Sequence, residues 1–242
     1  MSHGWFESGS CLFICMEYLP LGDLRAYLAK RDQPWVPEAE ARQIISQVLE
    51  ALRFMHTERF THADVKPANI LIRSKPPSGD WWVKLSDLGL SRRIEATRGS
   101  VGIQGTEGFI APEIYGFQKD KTKTSEGIRG RRTELWYSAD IWATGETAFR
   151  LITGKATFQY PDMLEMYAQG MREFPISVLT QSPCRPSPDL MDFITGLMVA
   201  DPSERPTASM ACDHPWIMEE LRRGRLTRTE DAINFESRYL CR

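Results

Sequence analysis

Asn69 and Asp87 stand at the two ends of a stretch that reads as one β-hairpin. Ile70 to Ile72 and Trp82 to Leu85 are short apolar runs, and Pro76-Pro77-Ser78-Gly79-Asp80 separates them. That pattern predicts two antiparallel strands joined by a longer loop. In such a pair the entry of the first strand lies beside the exit of the second. Two oxygen-bearing side chains, distant in sequence, are therefore expected to meet. Immediately upstream runs His62-Ala63-Asp64-Val65-Lys66-Pro67-Ala68. Proline disfavours helical geometry in the residue before it, so Lys66 is expected in an extended loop with its ammonium free. A carboxylate in such a loop, Asp64, can take a proton from a hydroxyl nucleophile. Lys66 can offset charge on a phosphoryl group. Asn69 and Asp87 are hard oxygen donors, and magnesium takes only one or two of these from a protein beside phosphates and water.

The rest of the chain supplies a mainly helical scaffold. Cys11 to Tyr18 reads as a buried strand, ended by Pro20-Leu21-Gly22. Asp23 is placed to cap a short helix through Leu24, Tyr27 and Leu28. Pro37 starts a stronger helix, with Glu38 and Glu40 in the first turn. Its apolar stripe is Ala41, Ile45, Val48, Leu52 and Met55. Arg92 to Gly108 is polar and glycine-rich and reads as a mobile loop. Leu135 to Ile152 is apolar nearly all round, the mark of a buried helix. Further helices are expected at Met163–Arg172, Asp189–Val199 and Ala208–Leu221, followed by a charged tail from residue 222.

Composition narrows the partners. A formal charge of −2 over 242 residues argues against a nucleic-acid or membrane-surface binder. The exception is Lys119 to Arg132, a basic stretch read as a solvated loop or, more sharply, a docking patch for an acidic partner. The 5 cysteines are scattered without a Cys-x-x-Cys pair, which suits reduced thiols in the cytoplasm or nucleus. Neither a zinc pattern nor a segment of membrane-spanning length is visible.

Taken together, these motifs resemble the large C-terminal lobe of a eukaryotic protein kinase of the serine/threonine type. The likeness rests on the loop His62 to Asn69, on Asp87-Leu88-Gly89 and on Ala111-Pro112-Glu113. It continues in Asp140-Ile141-Trp142 with Gly145, and in Arg205 within Glu204-Arg205-Pro206-Thr207. The resemblance implies transfer of the γ-phosphoryl group of ATP to a protein hydroxyl, with Mg2+ as cofactor. It makes Asp64 the catalytic base, Lys66 the phosphate-contacting lysine, and Asn69 and Asp87 the metal ligands. Glu17 and Leu19 would grip adenine through their backbone, Asp23 would contact ribose, and Leu71 would pack under the base. Thr106 would steady the loop beside the substrate, Glu113 and Arg205 would form a buried ion pair, and Asp140 would tie down the loop backbone. His62 is a packed residue in this scheme. The implied domain covers residues 1–221.

The pattern also departs from the family. No glycine-rich phosphate cover precedes the hinge, and residues before Cys11 contain no lysine. The expectation is hinge and large lobe with a truncated small lobe, which leaves Cys11 to Tyr18 at most one partner strand, near Trp5-Phe6, and an apolar edge open to association. The alternative function is a pseudokinase-like binding module without catalysis. A small-molecule phosphotransferase fits less well, because Ala111-Pro112-Glu113 and the Arg205 motif point to protein substrates. Ala63 replaces an arginine, which leaves a phosphate on Thr97 or Ser100 without its usual cation. Leu88 replaces a phenylalanine, apolar for apolar.

Overall fold

An antiparallel ribbon comes first: β1 (Ser2–Ser8) pairs with β2 (Cys11–Met16), placing Trp5 opposite Ile14 and Phe6 opposite Phe13. The Phe6 and Phe13 rings stack with centroids 4.9 Å apart. The strand pairs near Trp5-Phe6 as expected, while the burial suggested by the run Cys11 to Tyr18 alone does not follow. It stops at Met16, and Trp5, Phe6, Phe13, Ile14 and Met16 are all exposed. The reason is that these strands make a sheet by themselves, and two strands cannot cover either of their own faces.

The computed structural model describes residues 2–9, 11–93, 103–117 and 128–222. Thr97 and Ser100, residues 119–127 of the basic stretch and the tail beyond 222 lie outside these.

Asp23 caps α1 (Leu24–Ala29), its carboxylate accepting the Ala26 N–H at 2.8 Å. α2 (Glu38–Thr57) begins after Pro37 with Glu38 and Glu40 in its first turn. Ala41, Ile45, Val48 and Leu52 are buried as expected, and Ile44 and Leu49 widen the stripe. Next come β3 (Phe60–Thr61), β4 (Ile70–Ser74), β5 (Trp82–Leu85) and β6 (Arg92–Arg93). The hairpin forms: in β4–β5, Ile70 faces Leu85, Leu71 faces Lys84 and Ile72 faces Val83. Ile70, Ile72 and Val83 are buried. The Gln47 side chain fastens the hairpin to α2, donating to Trp81 O at 2.8 Å and accepting Val83 N–H at 3.0 Å. Arg92 and Arg93, read as the start of a loop, instead pair with Thr61 and Phe60. Two residues are too few to carry a visible alternation. Residues 94–102 of that expected loop lie outside the described residues.

The remaining helices are α3 (Pro112–Tyr115), α4 (Ile128–Thr153), α5 (Pro161–Ala168), α6 (Ile176–Thr180), α7 (Pro188–Leu197), α8 (Ala208–Cys212) and α9 (Pro215–Arg222). α4 starts at Ile128 rather than Leu135, so the end of the basic stretch is helical, not loop. Arginine is a good helix former, and a charge run hides that propensity. The single helix expected over Ala208–Leu221 is broken at Asp213-His214, because Pro215 cannot continue a helix and starts the next one. α2 packs on α4, α8, α9 and the β4–β5 hairpin, while α4 packs on α7. Trp142, Phe149, Phe193 and Trp216 fill the space between them. α4 and α7 approach closely at Gly145, where an added Cβ would meet Met198 Cγ at 2.6 Å and Leu197 Cβ at 3.0 Å. The architecture is mainly helical with small β-ribbons.

Candidate functional site

The loop between β3 and β4 is fixed from beneath by α4. Asp140, fully buried there, accepts the His62 N–H at 2.9 Å through Oδ2 and the Ala63 N–H at 2.8 Å through Oδ1. His56, in the last turn of α2, adds its Nε2 at 2.9 Å. Ala63 has φ of 65°, in the left-handed region where a Cβ is unfavourable, so these bonds hold a strained residue. His62 is buried, with Nε2 at 3.0 Å from Ser86 O and Nδ1 accepting the Asp64 N–H at 3.3 Å. Both ring nitrogens are thus engaged by backbone, and the imidazole packs the loop.

Lys66 is extended, with φ −165° and ψ 162°, and Pro67 opens a single 3-10 turn ending at Asn69. This gathers side chains on Asp64. The Lys66 ammonium donates to Asp64 Oδ2 at 2.6 Å, and Asn69 Nδ2 donates to the same oxygen at 3.0 Å. The Thr106 hydroxyl donates to Asp64 Oδ1 at 2.7 Å and accepts from Lys66 at 2.5 Å. Burial works to raise the Asp64 carboxyl, and the bonds from Lys66, Thr106 and Asn69 outweigh it, holding it below the usual aspartate value. Asp64 is therefore an ionised, partly shielded acceptor. With Nδ2 turned toward Asp64, Asn69 leaves its Oδ1 without a protein donor among the described residues.

Asn69 O accepts from Ser86 twice, from N–H at 2.8 Å and Oγ at 2.9 Å. The residue before Asp87 is thereby bonded to Asn69, and the two ends of the hairpin meet. Asp87 is exposed, sits at φ 65° and ψ 74°, and accepts the Gly89 N–H at 3.3 Å. No cluster of three or more His, Cys, Asp or Glu suited to a resident metal exists among the described residues. Asn69 Oδ1 and the Asp87 carboxylate fit the sparser set that magnesium takes when phosphates and water complete its shell.

The segment before α1 lies against the same hairpin. Asp23 and Leu71 form an isolated antiparallel bridge, and Ile72 N–H donates to Gly22 O at 2.9 Å. Asp23 and Leu71 are thus neighbours, although one Asp23 oxygen is used in capping α1. Leu19 O is taken by Gly22 N–H at 3.1 Å. Glu17 turns its carboxylate to Arg73 and Lys84, a contact that reading the residues one by one did not anticipate. Nor did it anticipate His56 on Asp140, which no local pattern signals.

Glu113 and Arg205 form a fully buried two-point ion pair, with both N···O distances 2.7 Å. Arg205 also donates to Val199 O at 2.7 Å, to Ser138 O at 3.0 Å and to Ala200 O at 3.2 Å, and lies over the Trp142 ring. Every donor direction of the guanidinium is engaged by scaffold, so this pair joins α3 to α4 and the turn after α7. It holds the frame around the loop.

Comparison with known proteins agrees with this geometry. The family model for the protein kinase domain matches residues 2–217. Serine/threonine-protein kinase 17A of Oryctolagus cuniculus is 28% identical over 232 residues, 96% of this chain and 54% of that protein. The phosphorylase b kinase gamma catalytic chain, liver/testis isoform, of Bos taurus is 31% identical over 87% of this chain and 48% of that one. A crystal structure of Rad53 1-466 in complex with AMP-PNP superposes with a TM-score of 0.68 at 29% identity, covering 89% of this chain and 49% of the other. The chain spans about half the length of the curated relatives it matches. On the family match and the shared fold, this chain belongs to the eukaryotic protein kinase family, serine/threonine type.

Proposed function

We propose that the chain is the hinge and large lobe of a serine/threonine protein kinase that transfers the γ-phosphoryl group of ATP to a protein hydroxyl. The observation that carries this is the set of hydrogen bonds from Lys66, Thr106 and Asn69 onto the Asp64 carboxylate. In this reading Asp64 takes the proton of the substrate hydroxyl as its oxygen attacks the γ-phosphorus and the bond to the ADP oxygen breaks. Lys66 turns from Asp64 toward the phosphoryl oxygens. Magnesium supplies charge neutralisation on the phosphates, and Asn69 Oδ1 and Asp87 are the groups suited to hold it. Leu71 forms a floor for adenine, with the backbone of Glu17 and Leu19 at its edge and Asp23 near the ribose. The β1–β2 ribbon is what the chain itself contributes of a small lobe. Four free cysteines among the described residues support a cytoplasmic or nuclear setting.

The test is magnesium-dependent ATP turnover on a generic protein substrate, wild type against Asp64→Asn. Equal signals remove the catalytic reading for this chain. Nucleotide binding without turnover in the wild type leaves the binding-module alternative in its place.

A further inference from the structure

Two cations from opposite strands of one hairpin hold the Glu17 carboxylate. Arg73 Nη1 donates to Oε1 and Lys84 Nζ to Oε2. Lys84 stands directly across β4–β5 from Leu71. Arg73 is at the irregularity in β4, where the register shifts between Ile72 and Ser74. Such a bulge re-aims a side chain. Here the guanidinium also lies over the Trp82 ring, 4.4 Å from its centroid. The hydrogen bond from Lys84, with Arg73 beside it, keeps the Glu17 carboxyl down at about 2, so the contact is ionic at any working pH.

The same hairpin grips the chain again a few residues on, through Ile72 N–H on Gly22 O and the Asp23–Leu71 bridge. Residues 18–21 are strung between these two attachments. They have little cover of their own, since Tyr18 is 85% and Leu21 45% exposed. The first attachment therefore sets how far this backbone stands from Leu71.

We propose that Glu17 is a positioning residue for the nucleotide: through Arg73 and Lys84 it fixes the gap between the Tyr18–Leu19 backbone and Leu71, into which the purine ring enters. The inference rests on the kinase reading above and adds to it a role for a side chain that touches no part of the nucleotide.

Direct titration of the full chain with Mg–AMP-PNP tests it. Glu17→Gln weakens binding about three- to tenfold, the span of two partly exposed ion contacts. Lys84→Met weakens it in the same direction, and Lys84→Arg, which keeps the cation, restores wild-type affinity. Rescue by charge alone is what a merely space-filling role would not produce. Equal affinities for wild type and Glu17→Gln overturn the proposal while leaving the kinase reading intact. Absence of any Mg–AMP-PNP binding in the wild type overturns both. If Glu17→Gln does not fold, the two Lys84 variants decide: equal weakening of both, or of neither, overturns the proposal.

Discussion

The Ala63 N–H donates to Asp140 Oδ1 at 2.8 Å, so the backbone just before the proposed base is fixed by a carboxylate from the buried helix α4. The other Asp140 oxygen serves His62 N–H and His56. Asp140→Ala strands these donors in a dry site. Hydrogen bonds to charged groups contribute about 1.5–3 kcal/mol each, so a loss of about 3 kcal/mol or more is expected in urea unfolding. Asp140→Asn keeps one acceptor and should fall between the two, with turnover reduced more than nucleotide binding.

The Glu113–Arg205 pair makes an opposite prediction for single and double changes. Glu113→Ala leaves a buried guanidinium without its partner and should cost about 3–5 kcal/mol. Replacing both residues with apolar side chains of similar volume should recover part of that loss, the remainder being what the Val199, Ser138 and Ala200 carbonyls lose with their donor. Denaturant midpoints of the two singles and the double decide it; a double as unstable as the sum of the singles contradicts it.

With Asp64 as the proposed base, its protonation is expected to set the acid limb of the rate profile. Its folded carboxyl is held below the usual value, so at neutral pH it is ionised and its hydrogen bonds contribute stability, and both the charge and that stability are lost as pH falls through the lowered value. Thr106→Val removes the bond at Oδ1 and must raise the carboxyl. The acid limb of kcat/KM is expected below the ordinary aspartate range in the wild type and at higher pH in the variant. A limb that moves down, or does not move, contradicts the assignment.

Gly145→Ala should destabilise, although alanine is the better helix former. An added Cβ would lie 3.0 Å from Leu197 Cβ and 2.6 Å from Met198 Cγ, so the Met198 side chain must move and the α4–α7 contact must loosen. Overpacking of this kind costs about 1–3 kcal/mol, against a gain of about 1 kcal/mol in propensity. Thermal unfolding should show the net loss.

What the residues disclosed in advance was mainly local. The β4–β5 hairpin was legible because its apolar runs and its Pro-Gly loop lie side by side in sequence. The extended Lys66 was legible because Pro67 acts on its immediate neighbour. The roles of Thr106, Asp140, Glu113 and Arg205 came from resemblance, since nothing in their surroundings marks them. The apolar run by itself suggests burial for Phe13 and Ile14; what disclosed the exposed ribbon was the shortage of upstream strands, which left Trp5-Phe6 as the one partner within reach. The break at His214 was present in the sequence as Pro215 but outweighed by the apolar spacing on either side. The Glu17 contact was invisible, because it depends on a bulge that turns Arg73.

The methyl group of Ala63 has a bearing on control. The loop it belongs to is anchored inward, to Asp140, and offers no guanidinium outward at that position. With a methyl group in place of a guanidinium, the loop itself brings no positive charge to that position, and a phosphate nearby must find its cation elsewhere.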